Sequence, residues 1–148
     1  MLNRLKLIMI FFSIFISFTY VSYAHENSKV HSSMKTISKN MRSINENISK
    51  NSDQLELSLT LAEEIHYISK ELPIFFKNKP SENEKTRLSP KIWTDSVLFS
   101  KEISDFQNKS NQLLITLENG EINSVKNAFR ELTYTCGSCH KKFRLKKN

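Results

Sequence analysis

Residues 122–144, INSVKNAFRELTYTCGSCHKKFR, decide the fold. Within them Ile122, Val125, Phe129, Leu132, Cys136, Cys139 and Phe143 step by three or four, so these side chains fall on one face of an α-helix with about 3.6 residues per turn. The stripe carries both cysteines of the chain onto the buried face. A single amphipathic helix gains most of its stability from packing its apolar face against other elements. The rest of the chain must therefore supply partners.

Working outward, three further segments show the same stepping. Val30, Met34, Ile37, Met41, Ile44 and Ile48 predict a first helix. Asn51, Ser52 and Asp53 offer N-caps for a second, in which Leu57, Leu61, Ile65, Ile68 and Leu72 form the stripe until Pro73 ends it there or just beyond. Leu55, Leu57, Leu59 and Leu61 alternate with polar residues as a strand would, but the alternation stops at Ala62, which favours the helix. Residues 77–89 are polar and contain Pro80, giving one substantial loop. Pro90 suits a first helical turn, and Ile92, Ser96, Phe99, Ile103, Phe106, Ser110, Leu113 and Leu117 continue as one long third helix that stops near Asn119-Gly120. With two Gly and three Pro in 148 residues, turn-rich β architectures are excluded on economy. The expectation is an all-α, antiparallel four-helix bundle with two short connections and one long one.

The N-terminus belongs to export rather than to the bundle. Arg4 and Lys6 precede an apolar run from Leu7 to Phe18, followed by the small-residue pattern Ser22-Tyr23-Ala24. The run falls short of the ~20 residues that span a bilayer. A signal peptide over residues 1–24, cleaved after Ala24, and a bundle domain over residues 25–148 are expected, the mature protein being periplasmic and free of the membrane. The formal charge of +7 is concentrated rather than spread: two positives leave with the leader, and Lys141, Lys142, Arg144, Lys146 and Lys147 crowd the C-terminus. Export and the lack of stacking aromatics argue against nucleic acid. The basic end instead suits an acidic protein partner or the negative end of a helix macrodipole.

Cys136-Gly137-Ser138-Cys139-His140 has the Cys-x-x-Cys-His spacing of c-type haem attachment. Thiols at i and i+3 share one helix face and reach the two vinyl groups along one haem edge, while the adjacent imidazole turns to the iron. One covalently attached haem c on the C-terminal helix is therefore expected, with His140 as a metal ligand. A structural zinc site needs four ligands, and His25, His31, His66 and His140 show no finger spacing with the two cysteines. A thiol–disulfide oxidoreductase places its motif after a strand in a βαβ unit, which this pattern lacks. A disulfide closing so short a span adds little stability.

On these residues the chain resembles the class II c-type cytochromes, cytochrome c′ and cytochrome c556. The likeness rests on residues 136–144, on Pro90-Lys91-Ile92-Trp93-Thr94-Asp95 and on Ser33-Met34-Lys35 with Asn40-Met41. It implies that His140 is the proximal ligand and that Met34 sits over the distal haem face. If the Met34 sulfur binds iron, the haem is six-coordinate and suited to electron transfer; if Met34 only packs, the iron is five-coordinate and open to nitric oxide or carbon monoxide. His31, one turn from Met34, is a rival distal ligand, and Lys35 leans towards the cytochrome c556 pattern. Arg144, one turn after His140, is a candidate partner of the imidazole or a propionate. Relatives carry an Arg near the position of Val30, which this chain lacks. Phe143 and Trp93 are expected to pack on haem or core, and His25 and His66 to lie at the surface. The resemblance further implies redox partner proteins and, as an option, a homodimer through the first two helices. No paired carboxylates, Ser-His-Asp set or phosphate loop suggests an enzyme.

Overall fold

The computed structural model describes residues 29–50, 55–81 and 86–146. The expected leader, its cleavage site and His25 lie outside the described residues. Five helical segments are described: α1 (29–50), α2 (Leu55–Phe75), α3 (Lys91–Thr94), α4 (Ser96–Asn119) and α5 (Ile122–Phe143). The helices α1, α2, α4 and α5 are the four expected. No helix among the described residues is long and apolar enough to cross a membrane.

Helix α1 buries Val30, Ile37, Ile44 and Ile48, with Met34 and Met41 packed beside them, as the stepping predicts. Two asparagines one heptad apart flank this stripe and join it to α2. The Asn40 amide donates to Glu64 Oε2 at 2.7 Å and Leu61 O at 3.4 Å, and the Asn47 amide donates to Ser58 Oγ at 3.1 Å. Both asparagines are buried, so these bonds remove a desolvation cost as well as fixing register.

The expected stripe of α2 is kept at Ile65 and Leu72, which are buried, and at Leu61 and Ile68, which pack partly buried on the core. The buried face is nonetheless turned towards smaller residues. Ser58, Ala62, Ile65, Ser69 and Leu72 are buried, whereas Leu57 is 62% exposed. Small side chains let α2 approach its neighbours closely, and their hydroxyls are satisfied. Ser69 Oγ donates to His66 O at 2.6 Å and lies 3.2 Å from Ser110 Oγ on α4, while His66 Nδ1 lies 2.9 Å from the same Ser110 oxygen. His66 is thus part of the α2–α4 seam and not the surface residue expected from sequence. Burial pushes its pKa down, helped by the charge of Lys70.

The expected third helix is interrupted. Asp95 adopts φ −124° and ψ 55°, outside the helical region, and separates α3 from α4. Trp93 and Thr94 amides bond back to Pro90 O at 3.1 and 3.2 Å, then the ladder restarts with Phe99 N donating to Asp95 O at 3.0 Å. Ser96, predicted on the buried stripe, is exposed at this break, while Ile92 and Phe99 on either side stay buried. Helix α4 ends at Gly120, whose φ of 71° is the left-handed cap that favours glycine, with its N–H directed to Thr116 O and Leu117 O. Glu121 then caps α5, its carboxylate accepting from Asn123 N and Ser124 N at 2.9 and 2.6 Å.

Helix α4 packs on both α2 and α5. Past Phe143 the chain leaves the helix at Arg144 and pairs antiparallel with Leu88 in the long loop. Ser89 N donates to Phe143 O at 3.0 Å and Leu145 N to Arg87 O at 2.8 Å, and the Arg87 guanidinium donates twice to Leu145 O, at 3.0 and 2.8 Å. This clasp ties the loop before α3 to the residues that follow His140.

Candidate cofactor site

A cavity of about 1030 Å³ opens between α1, the loop before α3, the first half of α4 and the end of α5. Its size is at the upper end of ordinary ligand pockets, roughly 300–1,000 Å³. Cys136, Cys139, His140 and Arg144 line it from one end of the chain and Met34 from the other. The fold thereby brings all five expected site residues to one space. His31 and Lys35 line it as well, so the rival distal histidine is also within the cavity wall.

Aromatic side chains build the apolar part. Phe143 packs edge-on against Phe99 with centroids 5.1 Å apart, and Phe99 packs edge-on against Phe76 at 5.0 Å; all three face the cavity. Trp93 is not among the lining residues. Its indole N–H donates to Phe76 O at 2.9 Å, so it holds the wall from behind.

The chemistry of the two thiols follows from this apolar setting. Both are free and partly buried, and the Cys136 thiol donates to Leu132 O at 3.4 Å. Burial raises both thiol pKa values, that of Cys139 to about 11, where the nearby Glu102 and Cys136 add to the effect and Lys142 opposes it. At neutral pH the sulfurs are uncharged. That suits conversion to uncharged thioethers and disfavours a reactive redox thiol, which needs a stabilised thiolate. Among the described residues no three His, Cys, Asp or Glu side chains gather as a metal cluster. Burial also lowers the pKa of His140, and the charges of Arg144 and Arg87 lower it further. Its imidazole is therefore neutral near pH 7, the form with a lone pair to give to a metal.

The cationic contribution is larger than the sequence indicated. Arg144 was singled out by its spacing from His140, but Arg42 on α1 and Arg87 in the loop also line the cavity. They supply guanidinium groups that could meet the two carboxylates of a haem, in place of the Arg missing near Val30. Arg87 carried no local sequence signal; only the clasp to Leu145 brings it beside α5. Glu102 is likewise a lining residue that spacing alone did not mark. Thiols at i and i+3, a neutral imidazole, an apolar wall and three arginines together fit a haem c.

Comparison with known proteins agrees. Residues 28–144 match the family described as Cytochrome C'. Solved structures with the same fold include cytochrome c′ from Thermochromatium tepidum, with 23% identity, a TM-score of 0.74 and coverage of 82% of this chain and 95% of that one. Cytochrome c prime from Shewanella frigidimarina aligns at 21% identity and a TM-score of 0.71, over 78% of this chain and 91% of its own. A ferrous variant of cytochrome c prime from Alcaligenes xylosoxidans with bound nitric oxide aligns at 17% identity and a TM-score of 0.66, over 84% and 94%. No curated protein sequence matches the chain. The match across nearly all of the bundle means that the chain belongs to the cytochrome c′ family, whose members carry covalently bound haem c.

Proposed function

We propose that this protein is an exported mono-haem cytochrome in which Cys136 and Cys139 hold haem c as thioethers and His140 is the proximal iron ligand. The observation that carries the proposal is the convergence, on one cavity, of both uncharged thiols, the neutral imidazole and Met34 from the far end of the sequence. The haem supplies a one-electron iron couple. The chain does the remainder. Helix α5 sets the two sulfurs and the imidazole on adjacent positions, Phe76, Phe99 and Phe143 exclude water from the macrocycle, and Arg42, Arg87 and Arg144 offer donors for its carboxylates.

In this reading Met34 is the sixth ligand, the protein is an electron carrier, and its partners are redox proteins of the periplasm, reached after removal of residues 1–24. Met/His ligation raises the iron potential into a range useful for transfer. The basic cluster at Lys141, Lys142, Arg144 and Lys146 favours an acidic partner.

A second reading has its own support. Met34 packs partly buried against the core, as a side chain that shields rather than binds would do, and a relative of the same fold has been captured with nitric oxide. Five-coordinate iron behind Met34 would then bind nitric oxide or carbon monoxide. Optical spectra of the haem-loaded protein, oxidised and reduced, with and without carbon monoxide, separate the two. A low-spin spectrum indifferent to carbon monoxide supports Met34 ligation and electron transfer. A high-spin spectrum that shifts on gas addition overturns that assignment in favour of gas binding.

A further inference from the structure

Glu102 is the one carboxylate among the described residues that line the cavity, and it is 6% exposed in an otherwise largely apolar wall. Its partner is the ammonium of Lys142, with which it forms an ion pair and a charge-assisted hydrogen bond. The Ser138 hydroxyl is a second donor to the same carboxylate. Burial raises the pKa of Glu102, but the bonds from Lys142 and Ser138 and the charges of Lys142 and Lys101 outweigh it, so the group stays ionised. Ser138 and Lys142 stand two residues before and two residues after His140 on α5. The Lys142 end of this pair is 40% exposed, and an ion pair open to water on one side adds little to stability, so an apolar contact would hold α4 on α5 at least as well. A fixed negative charge at this wall therefore calls for a different reason.

We propose that Glu102 and Lys142 act as a charge pair that sets the potential of the iron: the buried carboxylate favours the ferric state, and Lys142 offsets part of that charge. The inference rests on the reading that haem is held at Cys136, Cys139 and His140. Reduction adds one electron to Fe(III) to give Fe(II), with no bond broken and no proton moved, so the iron site loses one positive charge. A neighbouring anion opposes that loss and a neighbouring cation favours it, and a low-dielectric wall strengthens both effects.

The test is a mediated redox titration of the haem-loaded protein at about pH 8 and fixed ionic strength, comparing the unmodified chain with Glu102→Gln, Lys142→Gln and the double variant. Gln keeps the size of Glu and one acceptor oxygen while removing the charge. For Glu102→Gln the potential is expected to rise by roughly a tenfold change in the ferric/ferrous ratio, about 59 mV for one electron. Lys142→Gln lowers it, and the double variant falls between the two. Potentials that stay at the unmodified value, or that move in the same direction in both single variants, overturn the inference, since a pair that merely held the helices would disturb the site alike whichever partner was lost. Covalent haem is measured in each sample. Its absence from the unmodified chain overturns the functional reading and this inference with it, whereas covalent haem with unmoved potentials overturns this inference alone.

Discussion

The two ends of the bundle are built from the same stepping of apolar residues and pack in opposite ways. At one end Ile44, Ile65, Leu113 and Val125 are fully buried, and α2 presses in behind Ser58 and Ala62. At the other end Val30, Met34, Phe76, Phe99, Phe143 and the two cysteines surround the cavity. Aliphatic and small side chains interdigitate to fill the first end. Aromatic side chains, packed edge to face along one wall, prop the second open. The first end is self-sufficient, and the second is the one that takes the cofactor. The two ends should therefore respond differently to substitution.

The largest contrast comes from the cavity end. Replacing Cys136 and Cys139 together by Ala is expected to abolish covalent haem, read as loss of the visible spectrum after denaturation and extraction, with the helical far-UV signal retained. At the closed end the effect reverses. Leu113→Ala is expected to leave haem attachment intact but to cost about 2–5 kcal/mol in denaturant unfolding, because a fully buried leucine leaves a cavity that its neighbours cannot refill. A variant that lost haem without losing stability there would break the comparison.

Trp93 lies behind the boundary between the two behaviours. Trp93→Phe removes the donor to Phe76 O and is expected to cost about 1–2 kcal/mol, with a small shift of the haem bands as the Phe76–Phe99 wall relaxes. The smallest effect belongs to His66 in the α2–α4 seam. Its folded pKa lies below the ordinary 6.5, so the unfolded chain binds a proton more readily than the folded one. The stability that neutral His66 contributes is complete above pH 6.5 and declines as the pH falls through that value. His66→Gln should flatten this part of the stability curve, and a curve that keeps its slope would remove His66 as the cause.

Much of this contrast was legible beforehand, for identifiable reasons. The stripes of α1 and α5 and the attachment motif are local patterns, and the residues they marked line the core or the cavity. On α2 the periodicity of large residues pointed to Leu57, whereas the helix buries Ser58, Ala62 and Ser69. A seam of small, hydrogen-bonded side chains has no strong hydropathy, so a reading based on apolar period misses it, and with it the place of His66. The break at Asp95 lacked a Gly or Pro at the break itself to announce it. Arg87 and Glu102 were invisible for another reason: each gains its place through a partner far along the chain, Leu145 in one case and Lys142 in the other. Spacing along one helix cannot register such pairs.

The most direct test of the central claim is mass spectrometry of the protein purified from cells competent in haem attachment, on the intact chain and on the peptide spanning residues 131–141. The account predicts one haem per chain, carried by that peptide through both Cys136 and Cys139. An intact chain without haem, with the two cysteines as free thiols or as a disulfide, would contradict it.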